Sequence, residues 1–409
     1  MRFSLLLRRE PFPQILEDTL SSVWQKRYGQ VYEVRWLRPF QPSNPPPDGQ
    51  SQVWVGNPYL NVFFVPGLAS VAFDPTRREF TFSRSAWLRP FQRAYVSLAL
   101  SPRLASFFAA ARLHVSPPLP AAASLLVIPG NNKIRILDHL QCQVVVCLKC
   151  GFPDLFIKRE LMVRTRAGQL GLPVPPIRQV DEAGGRFIED YLSATPINRL
   201  DDPAQASQAC QSVTSALAHL IRDSLQPAGL ADYFHLRRLQ AANLVSSNHL
   251  ISSALRARLL RLLATLESRQ QPHLVSPVPF QTALSHGDFQ PANILLNGQG
   301  AWLVDWEFSE RRQPGYDLLV YALSARHPRH LARRLHAFTT GQASELQWVN
   351  SQGWPGLDLD SPLARQRRLL LFALEELCLH LELNANPLFT ALDPGLPALA
   401  GELSAWLES

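Results

Sequence analysis

Two carboxylates and one carboxamide in the second half of the chain have the residue types and the spacing for phosphoryl-transfer chemistry. Asp288 is followed by Asn293 five residues later and by Asp305 after twelve more. Transfer of a phosphoryl group from a nucleotide needs a carboxylate that orients and deprotonates the attacking hydroxyl, and it needs oxygen ligands for Mg²⁺. The three side chains supply both, so they form the candidate reaction centre.

The segments around these residues predict a loop followed by a hairpin. Residues 294–296 and 301–304 are short apolar runs, and the turn-forming residues 297–300 separate them. Such a hairpin would bring Asn293 and Asp305 close enough to share a metal ion. A His-x-Asp sequence alone usually means a turn with a satisfied carboxylate, but the placement of the second acid favours chemistry.

Two motifs carry a resemblance to a known family. Residues 286–293, His-Gly-Asp-Phe-Gln-Pro-Ala-Asn, resemble the catalytic loop of the aminoglycoside phosphotransferase and choline kinase family. Residues 303–307, Leu-Val-Asp-Trp-Glu, resemble its metal-binding motif. The resemblance implies an α+β, bilobal, protein-kinase-like fold. It also implies that Asp288 is the catalytic base and that Asn293 and Asp305 hold Mg²⁺.

The same resemblance implies supporting roles for neighbouring residues. His286 would brace the catalytic loop rather than react. Asp317 would cap the helix that follows and would steady the loop. Gln290 stands where many protein kinases have a lysine, so no cation is expected from that position.

A lysine and a glutamate are the candidates for holding the nucleotide phosphates. Residues 143–149 predict a central strand that ends in Lys149, which by the resemblance would contact the α- and β-phosphates. Glu160 shares a helical stripe with apolar residues, where an unpaired carboxylate would be costly. The sequence therefore predicts that Glu160 pairs with Lys149; the alternative for Lys149 is a surface strand end.

Two backbone segments complete the predicted nucleotide site. The turn between residues 125–128 and 133–137 contains Gly130, Asn131 and Asn132, whose N–H groups would contact phosphates in the resembled fold. A turn without ligand contacts is the alternative. Backbone groups from Glu189 to Tyr191 would take the adenine edge.

Composition narrows the classes of protein. The chain has 409 residues, 46% of them apolar and 18% charged, which is typical of a globular protein. Residues 1–180 carry 22 basic and 10 acidic residues (+12), and the remainder carries 18 and 23 (−5). No dense basic run with interleaved aromatics occurs, which argues against nucleic-acid binding. Five cysteines form no disulfide framework, and no stretch predicts a signal peptide or a membrane span, so a cytoplasmic location is expected.

The chain predicts three regions: an N-terminal α/β domain of unknown function over residues 1–120, a kinase-like N-lobe over 121–192, and a helical C-lobe with the acceptor pocket over 193–409. In the first region the local patterns predict helices at 13–28 and 94–113. They predict strands at 52–55, 60–65, 70–73 and 79–82.

The predicted function is a Mg²⁺-dependent kinase that transfers the γ-phosphate of ATP or GTP to a small hydroxyl compound. The acidic C-terminal half favours a neutral or cationic acceptor, such as a sugar, an amino sugar or an amino alcohol. Two alternatives stay open: a nucleotide-binding scaffold without catalysis, and a protein kinase. The short segment between Asp305 and Asp317 argues against the protein kinase, and the sequence indicates no oligomeric state.

Overall fold

The computed structural model describes residues 3–37, 51–67, 73–80, 86–274 and 279–409. The chain divides into two compact units. The first contains residues 1–157, 175–201 and 296–299, and the second contains residues 158–174, 202–295 and 300–409. Many of the helices and strands begin or end near the prolines and glycines of the sequence.

The first unit is built on one large antiparallel sheet. Its strands are β1 (Glu33–Leu37), β2 (Gln52–Asn57), β3 (Val62–Phe64), β4 (Ala111–Ser116), β5 (Leu125–Pro129), β6 (Lys133–Asp138), β7 (Gln143–Leu148), β8 (Ile177–Asp181) and β9 (Arg186–Asp190). They follow the order β1-β4-β2-β3-β5-β6-β7-β9-β8. Its helices are α1 (Phe3–Arg9), α2 (Phe12–Tyr28), α3 (Asp74–Phe80) and α4 (Arg89–Ala99), and Thr195–Pro196 forms a further short strand, β10.

Helix α2 packs its apolar stripe on one face of this sheet. Leu16, Leu20 and Trp24 are fully buried and belong to one cluster with Val145 of β7. The helix ends where Gly29 adopts a left-handed conformation, with φ of 72°. Because the cluster joins residues before and after position 120, strands from both predicted regions share one core. The predicted domain boundary at residue 120 stays a prediction.

Two local predictions in this region were wrong. Residues 94–113 do not form one helix: α4 ends at Ala99, Pro102 follows, and residues 111–116 pair with β1 and β2 as a strand. Residues 79–80 belong to α3 rather than to a strand, because an Asp-Pro pair begins a helix there. Residues 81–82 and most of the strand predicted at 70–73 lie outside the described residues.

The second unit is mainly helical. Its helices are α5 (Leu155–Gln169), α6 (Pro203–Ser224), α7 (Leu230–Ser247), α8 (Ser253–Leu274), α9 (Tyr316–Ala322), α10 (Leu331–Thr340), α11 (Glu345–Ser351), α12 (Pro362–Glu382) and α13 (Gly395–Glu408), of which α5 starts within the first unit. A short sheet has the order β11 (Gln226–Ala228), β12 (Phe280–Ser285) and β15 (Glu310–Arg312). The predicted hairpin is present as β13 (Ile294–Asn297) and β14 (Gly300–Leu303), which are neighbours in a sheet.

Helix α12 lies at the centre of the second unit. Fifteen of its 21 residues are buried, so the helix is enclosed on nearly all faces. Ser361 caps its first turn by accepting the N–H of Ala364, and Pro362 occupies the first helical position. Two adjacent acids of this helix, Glu375 and Glu376, are buried with it. Because a buried carboxylate is costly without partners, both need polar groups around them.

The fold prediction is confirmed. The N-terminal part is rich in β-sheet and the C-terminal part is helical, as a bilobal protein-kinase-like α+β fold requires. Within the sheet, the order β5-β6-β7-β9-β8 keeps the strand of Lys149 in a central position. Among the described residues, no helix combines the length and the hydropathy needed to cross a bilayer.

Candidate active site

The second residue of the candidate catalytic loop, residues 286–293, is a glycine in a position that excludes a side chain. Gly287 has a φ of 85°, and a Cβ atom on it would lie 2.0 Å from the carbonyl oxygen of Phe308. Left-handed backbone of this kind is readily available only to glycine, and the close approach excludes any side chain. Gly287 therefore allows the loop to pass against the segment that follows Asp305.

His286 braces the loop, as predicted. It is fully buried, and its Nδ1 accepts the N–H of Asp288 at 3.1 Å. Nε2 must then carry the hydrogen, and it donates to the carbonyl oxygen of Val304 at 3.0 Å. Burial lowers the pKa of His286, which keeps the ring neutral and suited to this bridge.

The carboxylate of Asp288 is held by three donors. Its Oδ1 accepts from Arg326 Nε at 2.6 Å. Its Oδ2 accepts from Gln290 Nε2 at 2.9 Å and from Asn293 Nδ2 at 2.8 Å. A carboxylate has about four acceptor positions, so one remains, on Oδ1, where an acceptor hydroxyl could donate. Burial raises the pKa of Asp288, and the Arg326 guanidinium opposes that shift.

Arg326 links this carboxylate to the central helix. Its Nη1 donates to Glu376 Oε2 at 2.5 Å, and its Nη2 donates to the carbonyl oxygen of Gly287. The hydroxyl of Tyr316 donates to the other oxygen of Glu376. Glu376 is fully buried and the Arg326 side chain is 14% exposed, and the planar guanidinium fork joins the candidate catalytic loop to α12.

Asp317 steadies the loop, but it does not cap its own helix. Its two carboxylate oxygens accept the N–H groups of His286 and Gly287, both at 2.8 Å. The N-cap of α9 is Gly315, which offers no side chain. The expected capping role was therefore wrong, because the loop N–H groups already use both oxygens.

Asn293 and Asp305 are brought together by a backbone bond. The N–H of Val304 donates to the carbonyl oxygen of Asn293 at 3.0 Å, which places the residue before Asp305 against the loop. Asn293 uses its amide nitrogen to bond Asp288, so its amide oxygen is the atom suited to a metal. Asp305 has a φ of 68°, a strained conformation that a non-glycine residue adopts rarely and often at functional sites.

These residues suit Mg²⁺ better than a metal held by protein ligands alone. Within the described ranges, no group of three or more His, Cys, Asp or Glu side chains is arranged to hold a metal. Magnesium commonly takes one or two protein oxygens and completes its shell with water and substrate phosphates. One carboxylate and one amide oxygen fit that pattern.

The first unit contains the predicted nucleotide lysine with a partner that was not predicted. Lys149 Nζ lies 2.5 Å from Glu10 Oε1, and neither side chain is exposed. The rings of Phe12 and Phe152 lie 5.6 and 5.0 Å from the ammonium. The backbone N–H of Lys149 donates to the carbonyl oxygen of Asn132, so the strand end and the turn of residues 130–132 are joined.

The other predicted nucleotide contacts remain predictions. Glu160 is buried on α5 and lies 3.5 Å from Arg164, and its predicted pairing with Lys149 is not tested. Asn131 accepts a hydrogen bond from Arg9 at 3.4 Å. Glu189 is paired with Val144 in the sheet. The N–H of Tyr191 already donates to the carbonyl oxygen of Cys142, as the N–H of the preceding residue does to Pro176.

Comparison with protein families decides the assignment. The model of a phosphotransferase enzyme family matches residues 143–359, which is 217 of 409 residues. This chain belongs to that phosphotransferase family. The match includes Lys149, Asp288, Asn293 and Asp305, and it leaves α1 to α4 and β1 to β6 outside. No curated protein matches the sequence.

Solved structures similar to this phosphotransferase include proteins named as choline kinases and aminoglycoside phosphotransferases. A choline/ethanolamine kinase family protein from Mesorhizobium loti is 18% identical, with a TM-score of 0.45, and the match covers 78% of this chain and 95% of that one. A choline kinase from Streptococcus pneumoniae is 14% identical, with a TM-score of 0.41 and coverage of 64% and 84%. An aminoglycoside phosphotransferase from Streptomyces rimosus is 17% identical, with a TM-score of 0.39 and coverage of 62% and 93%. At these scores, family membership rests on the family model.

Three charged residues that contact the candidate residues or their partners were not predicted from the sequence. Arg326 is one of 36 arginines and lies between α9 and α10 in no recognisable motif. Glu376 has no local signal beyond the acidic composition of the C-terminal half. Glu10 lies in a segment outside the family match. Its position before a proline-containing helix start was its only local signal.

Proposed function

We propose that this phosphotransferase is a small-molecule kinase that transfers the γ-phosphate of ATP or GTP to a hydroxyl group in the presence of Mg²⁺. Asp288 orients the acceptor hydroxyl through the open position on Oδ1. Asn293 and Asp305 supply oxygen ligands to Mg²⁺, and Lys149 contacts the nucleotide phosphates. A neutral or cationic acceptor, such as a sugar, an amino sugar or an amino alcohol, is favoured by the acidic second half.

The observation that carries this proposal is the hydrogen-bonding pattern of Asp288 and Asn293. The amide nitrogen of Asn293 is committed to Asp288, which leaves the amide oxygen for a metal. Three donors hold the Asp288 carboxylate while one acceptor position remains. A loop arranged in this way is preorganised for positioning and electrostatic stabilisation, which supply most of the catalysis in phosphoryl transfer.

Magnesium, held by Asn293 and Asp305, would supply positive charge that offsets the charge developing on the transferred group. The protein residues then hold the acceptor and exclude competing geometries. Because Arg326 keeps Asp288 in an ion pair, this carboxylate acts mainly by orienting the hydroxyl. The hydroxyl proton passes to Asp288 late, as a loose transition state permits.

A thermal-shift titration tests nucleotide and metal binding. Wild type, Asp305→Ala and a control Asp360→Ala are titrated with ATP or GTP, with and without Mg²⁺. A ligand that binds the native state raises the midpoint by mass action. We expect a Mg²⁺-dependent rise in wild type and in the control, whose exposed acid lies outside the candidate site, and its loss in Asp305→Ala.

Activity tests the acceptor class. Sugars, amino sugars and amino alcohols are screened for nucleotide-dependent phosphorylation, and Asp288→Asn is compared with wild type on each acceptor found. We expect loss of transfer in Asp288→Asn with nucleotide binding retained. Absence of any nucleotide-dependent shift, or phosphorylation that survives Asp288→Asn unchanged, would contradict the proposal.

A nucleotide-binding protein without transfer activity is the second candidate. The observation that favours it is the ion pair of Asp288 with Arg326. Arg326 occupies one acceptor position of Oδ1, the same oxygen that has the open position. This candidate predicts a Mg²⁺-dependent thermal shift without phosphorylation of any acceptor. The same two experiments therefore separate the candidates.

A further inference from the structure

A polar cavity lies in the first unit. It has a volume of about 500 Å³ and lies between the last turns of α2 and the strands β7, β8 and β9. We call it the α2 pocket and define it by Lys26, Arg27, Val145, Asp181, Arg186 and Ile188. None of its lining residues belongs to the proposed kinase machinery.

One wall of the α2 pocket lies outside the family match. The family match begins at residue 143, so α2 lies outside it, whereas the strands that form the floor lie inside. The pocket therefore lies where a helix outside the match covers strands inside it. It is not a site that the family match itself includes.

Both oxygens of each acidic group at the pocket already accept hydrogen bonds. Asp181 Oδ1 accepts the N–H of Gly184 at 2.9 Å, and its Oδ2 accepts from Arg186 Nε at 2.9 Å. Beside the pocket, Asp138 Oδ1 accepts two backbone N–H groups at 3.0 Å, and its Oδ2 accepts from Arg27. These carboxylates therefore offer little to a ligand that donates hydrogen bonds.

The basic groups, by contrast, have donors left over. Arg27 Nη1 is buried and has no hydrogen-bond partner in the described part of the chain. Lys26 Nζ comes only within 3.9 Å of Asp181, beyond hydrogen-bond distance. Arg186 has two terminal nitrogens, and its hydrogen bond to Asp181 is made by Nε instead. Three cations and the carboxylate of Asp181 line the pocket, and Asp138 beside it pairs with Arg27, so one positive charge and several N–H donors remain in excess.

The deeper lining is apolar. Val145 and Ile188 present side chains from adjacent strands, and Val23 of α2 lies opposite them. Ligand pockets of roughly 300–1,000 Å³ usually combine such an apolar body with a few placed polar groups. An unpaired buried guanidinium N–H costs free energy unless a ligand or water meets it, and an oxyanion meets it best.

We propose that the α2 pocket binds a small organic oxyanion, a phosphate monoester or a carboxylate attached to a short apolar or aromatic body. The oxyanion accepts hydrogen bonds from Arg27, Lys26 and Arg186. The apolar body covers Val145 and Ile188. This inference goes beyond the kinase function and does not depend on it.

Calorimetric titration of the full chain tests this assignment. The probes are phenyl phosphate and benzoate, with phenol and inorganic phosphate as comparisons, each at concentrations up to about 10 mM. Saturating Mg-ATP is present in a parallel series, so that binding at a nucleotide site is recognised. The variants are Lys26→Gln/Arg186→Gln, which removes two charges, and Gln179→Trp, which narrows the opening from an exposed lining position without changing charge.

Arg178→Gln is the matched control. It removes an exposed arginine of β8 that pairs with Asp190, and neither residue lines the pocket. We expect phenyl phosphate or benzoate to bind with a dissociation constant of about 1 mM or lower, and to bind at least about tenfold more tightly than phenol. The control should keep that affinity, and both pocket variants should weaken it at least about tenfold. Displacement by Mg-ATP, affinity unaffected by the pocket variants, equal binding of phenol, or no saturable binding of either probe would each overturn the assignment.

Discussion

Replacement of Arg326 is the sharpest test of how the candidate site works. Its guanidinium bonds Asp288 at 2.6 Å, Glu376 at 2.5 Å and the carbonyl oxygen of Gly287. Arg326→Lys keeps one charge, but a single ammonium cannot reproduce this planar fork. Arg326→Gln removes the cation between two buried carboxylates.

The expected loss can be worked from these contacts. A hydrogen bond to a charged group contributes about 1.5–3 kcal/mol, and about 1.4 kcal/mol corresponds to a tenfold change in rate. Loss of the orienting bond therefore predicts a fall in kcat of about 10- to 150-fold. Because Gln290 and Asn293 still hold the other carboxylate oxygen, we expect about tenfold for Arg326→Lys and about 100-fold for Arg326→Gln.

Steady-state kinetics on an accepted substrate, together with nucleotide thermal shifts, checks this prediction. The KM for the nucleotide and the Mg²⁺-dependent shift should stay close to those of wild type, because Arg326 contacts the loop and α12. Guanidinium chloride at low concentration should partly restore kcat in Arg326→Ala. The exposed Arg329 provides the control through Arg329→Lys.

Three results would refute the reasoning. An unchanged kcat would show that Arg326 only supports the fold. A higher kcat would show that the ion pair blocks Asp288. A fall in kcat matched by an equal loss of nucleotide affinity would show general damage to the site. Failure of wild type to bind nucleotide would instead contradict the proposed function itself.

Three further predictions concern buried charges and thiols. Burial raises the pKa of Glu310, but three surrounding arginines together lower it by more, so the pKa lies below its ordinary value. A depressed carboxyl pKa contributes stability above about pH 4.5, and this stability is lost as the pH falls through the pKa of the folded state. Glu310→Gln should therefore lower the free energy of unfolding in urea by about 1–3 kcal/mol at pH 7 and by less at pH 4. An equal loss at both pH values would contradict stabilisation by the surrounding arginines. Glu10→Gln removes the carboxylate of a fully buried ion pair with Lys149 and should destabilise the protein by about 3–5 kcal/mol. By contrast, Glu33→Gln at an exposed position should destabilise it by less than about 1 kcal/mol. Thiol titration at pH 8 should find two cysteines that react fast and three that react only after unfolding. Among the three slow thiols, burial raises the pKa of Cys147 and Cys378 to about 12 and also raises the pKa of Cys210. Fast reaction of any of these three thiols would contradict their burial. The fast pair is Cys142 and Cys150, and the slow set is Cys147, Cys210 and Cys378.

Local patterns in the sequence were enough to predict the catalytic loop and its hairpin. The spacing of Asp288, Asn293 and Asp305 survives folding because these residues are close in the chain and a short hairpin joins them. Helix α12 was predictable for a similar reason, since its apolar residues repeat with the helical period. Motifs and periodicity are short-range properties, and the sequence displays them directly.

Patterns failed where a distant part of the chain determined the local structure. Residues 111–113 have helix-compatible side chains, but they form a strand because β1 and β2 accept their backbone hydrogen bonds. Asp317 was expected to cap its helix. Instead, two N–H groups about thirty residues away in sequence use its carboxylate.

The sequence by itself therefore determined the phosphotransferase family and predicted the candidate residues of the loop at 286–293. Only the tertiary structure decided which charges meet. Arg326 reaches Asp288 across 38 residues and Glu376 across 50, and Glu10 reaches Lys149 across 139. A buried charge must find a partner wherever packing places one, and packing depends on how whole elements meet rather than on the residues next to the charge. The α2 pocket has the same origin, since it forms only where α2 covers the family sheet.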